Sequence, residues 1–125
     1  MTKTAAMHAF FSSFGMSAYE QNGVPTGMDA PEFPYLTYQV AMGSFGDEIA
    51  LSFSLWYRGT SWVAANNKAD EISRAIGSGG VIIRCDGGKI WIKRASPFAQ
   101  SMGDPEDNMI KRKLLNITAE FLTAD

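Results

Sequence analysis

The chain has 125 residues, 46% hydrophobic and 19% charged, with a formal net charge of -2. That is enough chain to bury one core, too little for two, and too apolar for a disordered segment. The slightly acidic balance excludes the chain-wide positive field that phosphate-backbone binding needs, and the single cysteine, Cys85, excludes an internal disulfide or a thiolate metal site.

In chain order, Met7, Phe10, Phe11 and Phe14 fall at i, i+3, i+4 and i+7, which predicts a helix over 4–14 with Gly15 as its C-terminal cap. Its apolar patch is interrupted by His8, Ser12 and Ser13 and does not read as a signal peptide. Residues 16–34 hold Asn22, Gly23, Pro25, Gly27, Pro31 and Pro34, breakers that predict a long irregular arm over about 16–33. Residues 34–41 alternate as a strand, with Leu36, Tyr38 and Val40 on one side and Tyr35, Thr37 and Gln39 on the other. A turn between Gly43 and Gly46 leads into a stricter alternation over 48–58, where Ile49, Leu51, Phe53, Leu55 and Tyr57 share one face. These two strands are expected to pair antiparallel.

Thr60 or Ser61 caps a second predicted helix whose stripe is Trp62, Ala65, Ala69, Ile72 and Ile76, with an Asp70–Arg74 pair and Gly77 at its end. Residues 81–94 read as a β-hairpin around Asp86, Gly87 and Gly88. Residues 96–108 read as loop, and 109–123 as a last strand with Leu115, Ile117, Ala119 and Phe121 on one face. The expected fold is α+β: one domain over 1–125, a mostly antiparallel sheet with two helices packed on one face. No apolar run approaches bilayer-spanning length, so neither secretion nor membrane insertion is expected, and the lone cysteine fits a reducing cytoplasm.

Signals for chemistry are sparse. His8 is the only histidine and has no carboxylate near it in sequence, which argues against general acid–base work or a zinc site. Asp104, Glu106 and Asp107 flank Pro105 without calcium-loop spacing and read as a solvated turn. Gly79-Gly80 and Gly87-Gly88 lack the Lys-Ser or helix context of a phosphate cradle. Cys85, without a histidine partner, reads as a small strand residue. No enzyme activity and no cofactor are expected. Lys89, Lys93, Arg94, Lys111, Arg112 and Lys113 are the one electrostatic feature, and Lys89, Lys93, Lys111 and Lys113 form a candidate basic stripe facing an acidic partner or DNA. Trp56 and Trp91 lie opposite the main apolar stripes, which points to a subunit contact there.

The order of FPYLTYQV (33–40), LSFSLWYRGTSW (51–62), KADEISRAIG (68–77) and SPFAQSM (96–102) resembles that of the tail-completion, or tail-terminator, and minor capsid proteins of siphophages. The resemblance runs from about Phe10 onward. It implies a virion protein assembled in the host cytoplasm as a homo-oligomeric ring, a hexamer in that family. Such a ring caps the head-proximal end of the tail tube, stops its polymerisation and joins the tail to the head connector. The implied partners are further copies of the chain, the tail tube protein and a connector or stopper protein, with DNA passing through the ring lumen and no membrane. The arm and the 96–108 loop are the implied contact elements, and Tyr19, Val24, Met28, Phe33, Trp56, Trp91, Phe98 and Met102 the candidate interface residues. Head–tail connector (stopper) proteins are a neighbouring alternative, and a small ligand-binding α+β domain a more distant one.

Overall fold

The computed structural model describes residues 1–39 and 41–123. Among these, the elements are α1 (Lys3–Ser12), β1 (Ala18–Glu20), a single 3-10 turn (Gly27–Asp29), β2 (Tyr35–Tyr38), β3 (Glu48–Arg58), α2 (Val63–Ile76), β4 (Val81–Cys85), β5 (Gly88–Gly103) and β6 (Ile110–Thr123). The strands form one sheet in the order β1-β2-β3-β6-β5-β4, antiparallel except for the parallel β1–β2 pair. Both helices cover the same face, so the fold is α+β as expected.

Local chemistry explains each helix end. Thr2 Oγ1 accepts from the Ala5 N–H at 3.1 Å and starts α1. The helix stops at Ser12, earlier than the 4–14 periodicity predicts: the Ser13 N–H closes on Phe10 O, and Gly15 follows at φ +77. Phe14 leaves the helix yet still packs against the core. In α2, Ser61 Oγ accepts from the Val63 N–H at 3.1 Å, Ala65, Ala69, Ile72 and Ile76 are buried, and Gly77 takes φ 75 at the end. The predicted Asp70–Arg74 pair is not formed. Lys68 bonds Glu71 at 2.7 Å instead, because its ammonium is already held over Phe14 O at 2.7 Å, beside Glu71. That hydrogen bond from Lys68 holds the Glu71 carboxyl below its ordinary range.

The core follows the period of two. Leu51, Phe53 and Leu55 of β3, Ile90 and Ile92 of β5, and Leu115, Ile117, Ala119 and Phe121 of β6 all point toward the helices and are buried. Leu36 and Tyr38 of β2 join them, while Val40 lies outside the described residues. Phe11 of α1 locks this layer together, stacked on Tyr38 at 4.5 Å and tilted on Phe53 at 5.0 Å between ring centres.

Two segments differ from their sequence reading. The arm is not wholly irregular: Ala18, Tyr19 and Glu20 pair parallel with Leu36, Thr37 and Tyr38 and form one edge of the sheet. Breakers after Asn22 limit that strand to three residues, which is why no local pattern announces it. The 96–108 loop is mostly strand, since β5 continues to Gly103. Between Arg94, opposite Ile117, and Ala99, opposite Leu115, β5 takes five steps while β6 takes two. The extra residues, which include Pro97, bulge out of the ladder instead of ending it. Phe98, expected at an interface, packs against the core within this bulge.

Removing Phe11 from such a packed layer deletes many contacts at once. Phe11→Ala is expected to cost about 3–5 kcal/mol, whereas Ala50→Ser on the exposed side of β3 stays within about 0.5 kcal/mol. Urea unfolding followed by tryptophan fluorescence separates the two; equal midpoints would contradict this account of the core.

Candidate interaction surface

The face of the sheet turned away from the helices carries no covering element among the described residues. Strand register aligns one row across it: Tyr35 lies opposite Trp56, Trp56 opposite Arg112, and Arg112 opposite Met102. Tyr19 of β1 extends the row, its ring 6.2 Å from that of Tyr35 and edge-on. Tyr35 stacks on Trp56 at 6.2 Å with an interplanar angle of 14°, and Phe33 leans on Tyr35 at 5.3 Å. On the other side, the Arg112 guanidinium sits 4.9 Å from the Trp56 ring centre.

Polar atoms beneath the row are satisfied. The Trp56 indole N–H donates to Thr37 Oγ1 at 2.8 Å, and Arg112 Nε donates to Ser54 Oγ at 3.0 Å. Thr37 and Ser54 are buried in consequence, although they sit on the face without helices. Burial raises the Tyr35 phenol above its ordinary pKa. Arg112 itself has no carboxylate partner among the described residues. Trp56, Met102, Pro105, Ile110 and Arg112 line an open hollow of about 230 Å³ at the end of the row.

The loop after β5 is pinned beside this hollow. Asp104 Oδ1 accepts from the Glu106 N–H at 2.8 Å, and Asp107 accepts from Arg58 Nη1 and from the Met109 N–H. These bonds, that from Arg58 first, hold the Asp107 carboxyl below its ordinary value of 3.8. Of the three acids expected as a solvated turn, Asp104 and Asp107 thus hold the loop's own geometry, while Glu106 is exposed.

The structure gathers some candidate interface residues and separates others. Tyr19, Phe33, Trp56 and Met102 belong to the row, and Met102 and Phe33 remain 39% and 36% exposed. Val24 and Met28 lie in the arm, where Met28 is fully exposed. Trp91 shares the uncovered face but lies opposite Glu120, eight residues along β6 from Arg112, or about 27 Å. Its indole donates to Gly79 O at 2.8 Å, and the Lys93 ammonium lies 4.3 Å from its ring centre.

No continuous basic stripe forms. Lys89 and Lys93 face the uncovered side, whereas Lys111 and Lys113 point to the helix side, Lys113 bonding Asn66 of α2 at 2.7 Å. Lys93 is flanked by Glu48 and Glu120 at 3.7 and 3.8 Å. The odd and even residues of β6 go to opposite faces, so three consecutive cations cannot share one surface. His8 Nδ1 is 2.7 Å from the Tyr38 hydroxyl and Nε2 3.3 Å from Ser12 Oγ. Among the described residues, no three His, Cys, Asp or Glu side chains converge into a metal-binding group.

Tyr35 and Arg112 complete the row, and sequence reading left both out of the interface set. The signal was available as parity: Arg112 differs by one residue from Lys111 and Lys113 and by an odd number from the buried Leu115. Chemically, the row offers stiff aromatic area and one unpaired guanidinium without a nucleophile–base pair, the composition of a protein-contact surface. Comparison of the sequence with protein-family models and with curated proteins finds no match.

The loop's acid sensitivity follows from the lowered Asp107 pKa. The Arg58–Asp107 contribution is present above the ordinary carboxylate value and is lost as pH falls through the lower value of the folded protein. Asp107→Asn is therefore expected to be less stable than wild type at neutral pH and to show a flatter decline in stability below about pH 5. Urea denaturation across that range is the measurement, and superimposable pH profiles would contradict the assignment.

Proposed function

We propose that this chain is a structural subunit of a phage tail-completion ring that caps the head-proximal end of the tail tube, stops its polymerisation and joins the tail to the head connector. The observation that carries this reading is the uncovered sheet face with its Tyr35–Trp56–Arg112–Met102 row. An isolated antiparallel sheet can leave one face to water, but that face is then polar. Here it holds stacked rings and an arginine without a partner acid, groups enriched where proteins meet. The particular role is suggested by the resemblance of the order of sequence elements to that of siphophage tail-completion proteins.

A ring subunit needs no catalytic group; it needs two unlike, mutually complementary patches for its neighbours, a patch for the tube and a different patch for the head. The helix-free face with its row and the part of the arm beyond β1 that carries Met28, Asp29 and Glu32 are two separable surfaces of this kind. Heterologous contacts between unlike patches close into rings when the rotation per subunit fits.

Light scattering on the purified chain, alone and mixed with tail tube protein, tests the reading. A discrete oligomer, tubes shortened in its presence, and density at one tube end in electron micrographs are expected. Trp56→Ala and Arg112→Ala are each expected to weaken tube or connector capture at least about 10-fold, as central aromatic and arginine anchors do. A monomer in both settings with tube lengths unchanged would overturn the proposal.

A further inference from the structure

The two edges of the sheet carry opposite charge. At one edge, β1 contributes Glu20 and the arm beyond it contributes exposed Asp29 and Glu32. No Lys or Arg occurs between Lys3 and Arg58. None of these three carboxylates joins an ion pair among the described residues. Met28 stands among them with its side chain wholly in solvent, at 104% of reference exposure.

At the other edge, Arg84 of β4 lies directly opposite Lys89 of β5. Like charges in directly opposed positions weaken a sheet, and no carboxylate among the described residues pairs with either. Asp86, their nearest acid in sequence, is held by the Met1 ammonium at 2.6 Å. Ile82, 57% exposed, completes the corner, and Ile82, Arg84, Gly88 and Lys89 line a hollow of about 400 Å³. A single edge cation is an ordinary guard against unwanted strand pairing. Two opposed cations beside a bare isoleucine go further, because they cost stability in the isolated chain and become favourable only when an anionic, partly apolar group arrives.

We infer that the arm of one copy of this chain docks on the β4–β5 corner of a second copy, with Asp29 and Glu32 meeting Arg84 and Lys89 while Met28 covers Ile82. The inference rests on the reading above that copies of the chain assemble, and it names the contact between them. The docking patches are different surfaces, so the contact is heterologous and repeats from subunit to subunit, as a ring requires. Within one chain the two edges are separated by the four strands between them, and no ion pair joins them. Nucleic acid phosphates also suit Arg84 and Lys89, but Ile82 has no use for them, and the arm matches both the charge and the apolar side chain.

Charge exchange tests the contact. One variant carries Arg84→Glu with Lys89→Glu, the other Asp29→Lys with Glu32→Lys, and sedimentation velocity reads association of each alone and of the equimolar mixture. Each variant alone is expected to weaken self-association about 100-fold or more, through like-charge repulsion, and the mixture to restore it, since every arm then finds a corner of opposite sign. A second readout is independent of charge: Met28→Cys and Ile82→Cys chains, both in a Cys85→Ser background, are expected to form a mixed disulfide on oxidation. Wild-type oligomers that neither variant disturbs, a mixture that stays dissociated, or a failure to cross-link would overturn this contact while leaving the ring reading in place. Wild type that stays monomeric with and without tube protein would overturn both. Unchanged self-association together with salt-sensitive duplex DNA binding lost on Arg84→Glu and Lys89→Glu would assign the corner to nucleic acid and overturn the arm.

Discussion

The structure depends on β6 being bonded along both edges at once. Its residues from Ile110 to Glu120 pair with β3, and those from Lys111 to Thr123 pair with β5 around the bulge. A strand held on both sides cannot slip by one residue without turning its buried set, Leu115, Ile117, Ala119 and Phe121, into water. That register therefore decides everything stacked on it: which residues of β3 and β5 meet the helices, and which line up on the opposite face.

The same alignment produces the surface. Once Leu55 is fixed inward, Trp56 must point outward, and the pairing partners Tyr35 and Arg112 follow with it. Stacking and the two hydrogen bonds to Thr37 and Ser54 then hold these side chains flat before any partner arrives. A pre-ordered surface loses less side-chain entropy on association than one built from free rotors, so more of its contact energy appears as affinity. The arm differs: Met28 stands wholly in solvent on its 3-10 turn, so its side chain is not held in advance in this way.

Sequence patterning was informative where the period was strong and the chain local. β3, β6, α2 and the 81–94 hairpin were legible because alternation, helical spacing and turn residues all agree there. β1 was not, because three residues pairing in parallel with partners 18 positions away carry no local periodicity. The second half of β5 was hidden by Pro97 and by Ser96, Gln100 and Ser101, which read as loop until β6 supplies a partner. Of the surface, Trp56 was legible as an aromatic residue opposite the apolar stripe, and Tyr19, Phe33 and Met102 only as members of the arm and the 96–108 segment that the resemblance implies as contact elements. Arg112 was hidden among three consecutive cations, and the packing of Phe98 against the core was not legible because the bulge that brings it there has no sequence signature.

That bulge also acts as a phase shifter. Before it, even-numbered residues Ile90, Ile92 and Arg94 face the helices; after it, odd-numbered Ala99 and Ser101 do. Met102 reaches the aromatic row only because of this reversal. The residues between Arg94 and Ala99 stand outside the ladder, so the side each later residue takes is set by its partner on β6, Ala99 opposite Leu115 and Met102 opposite Arg112.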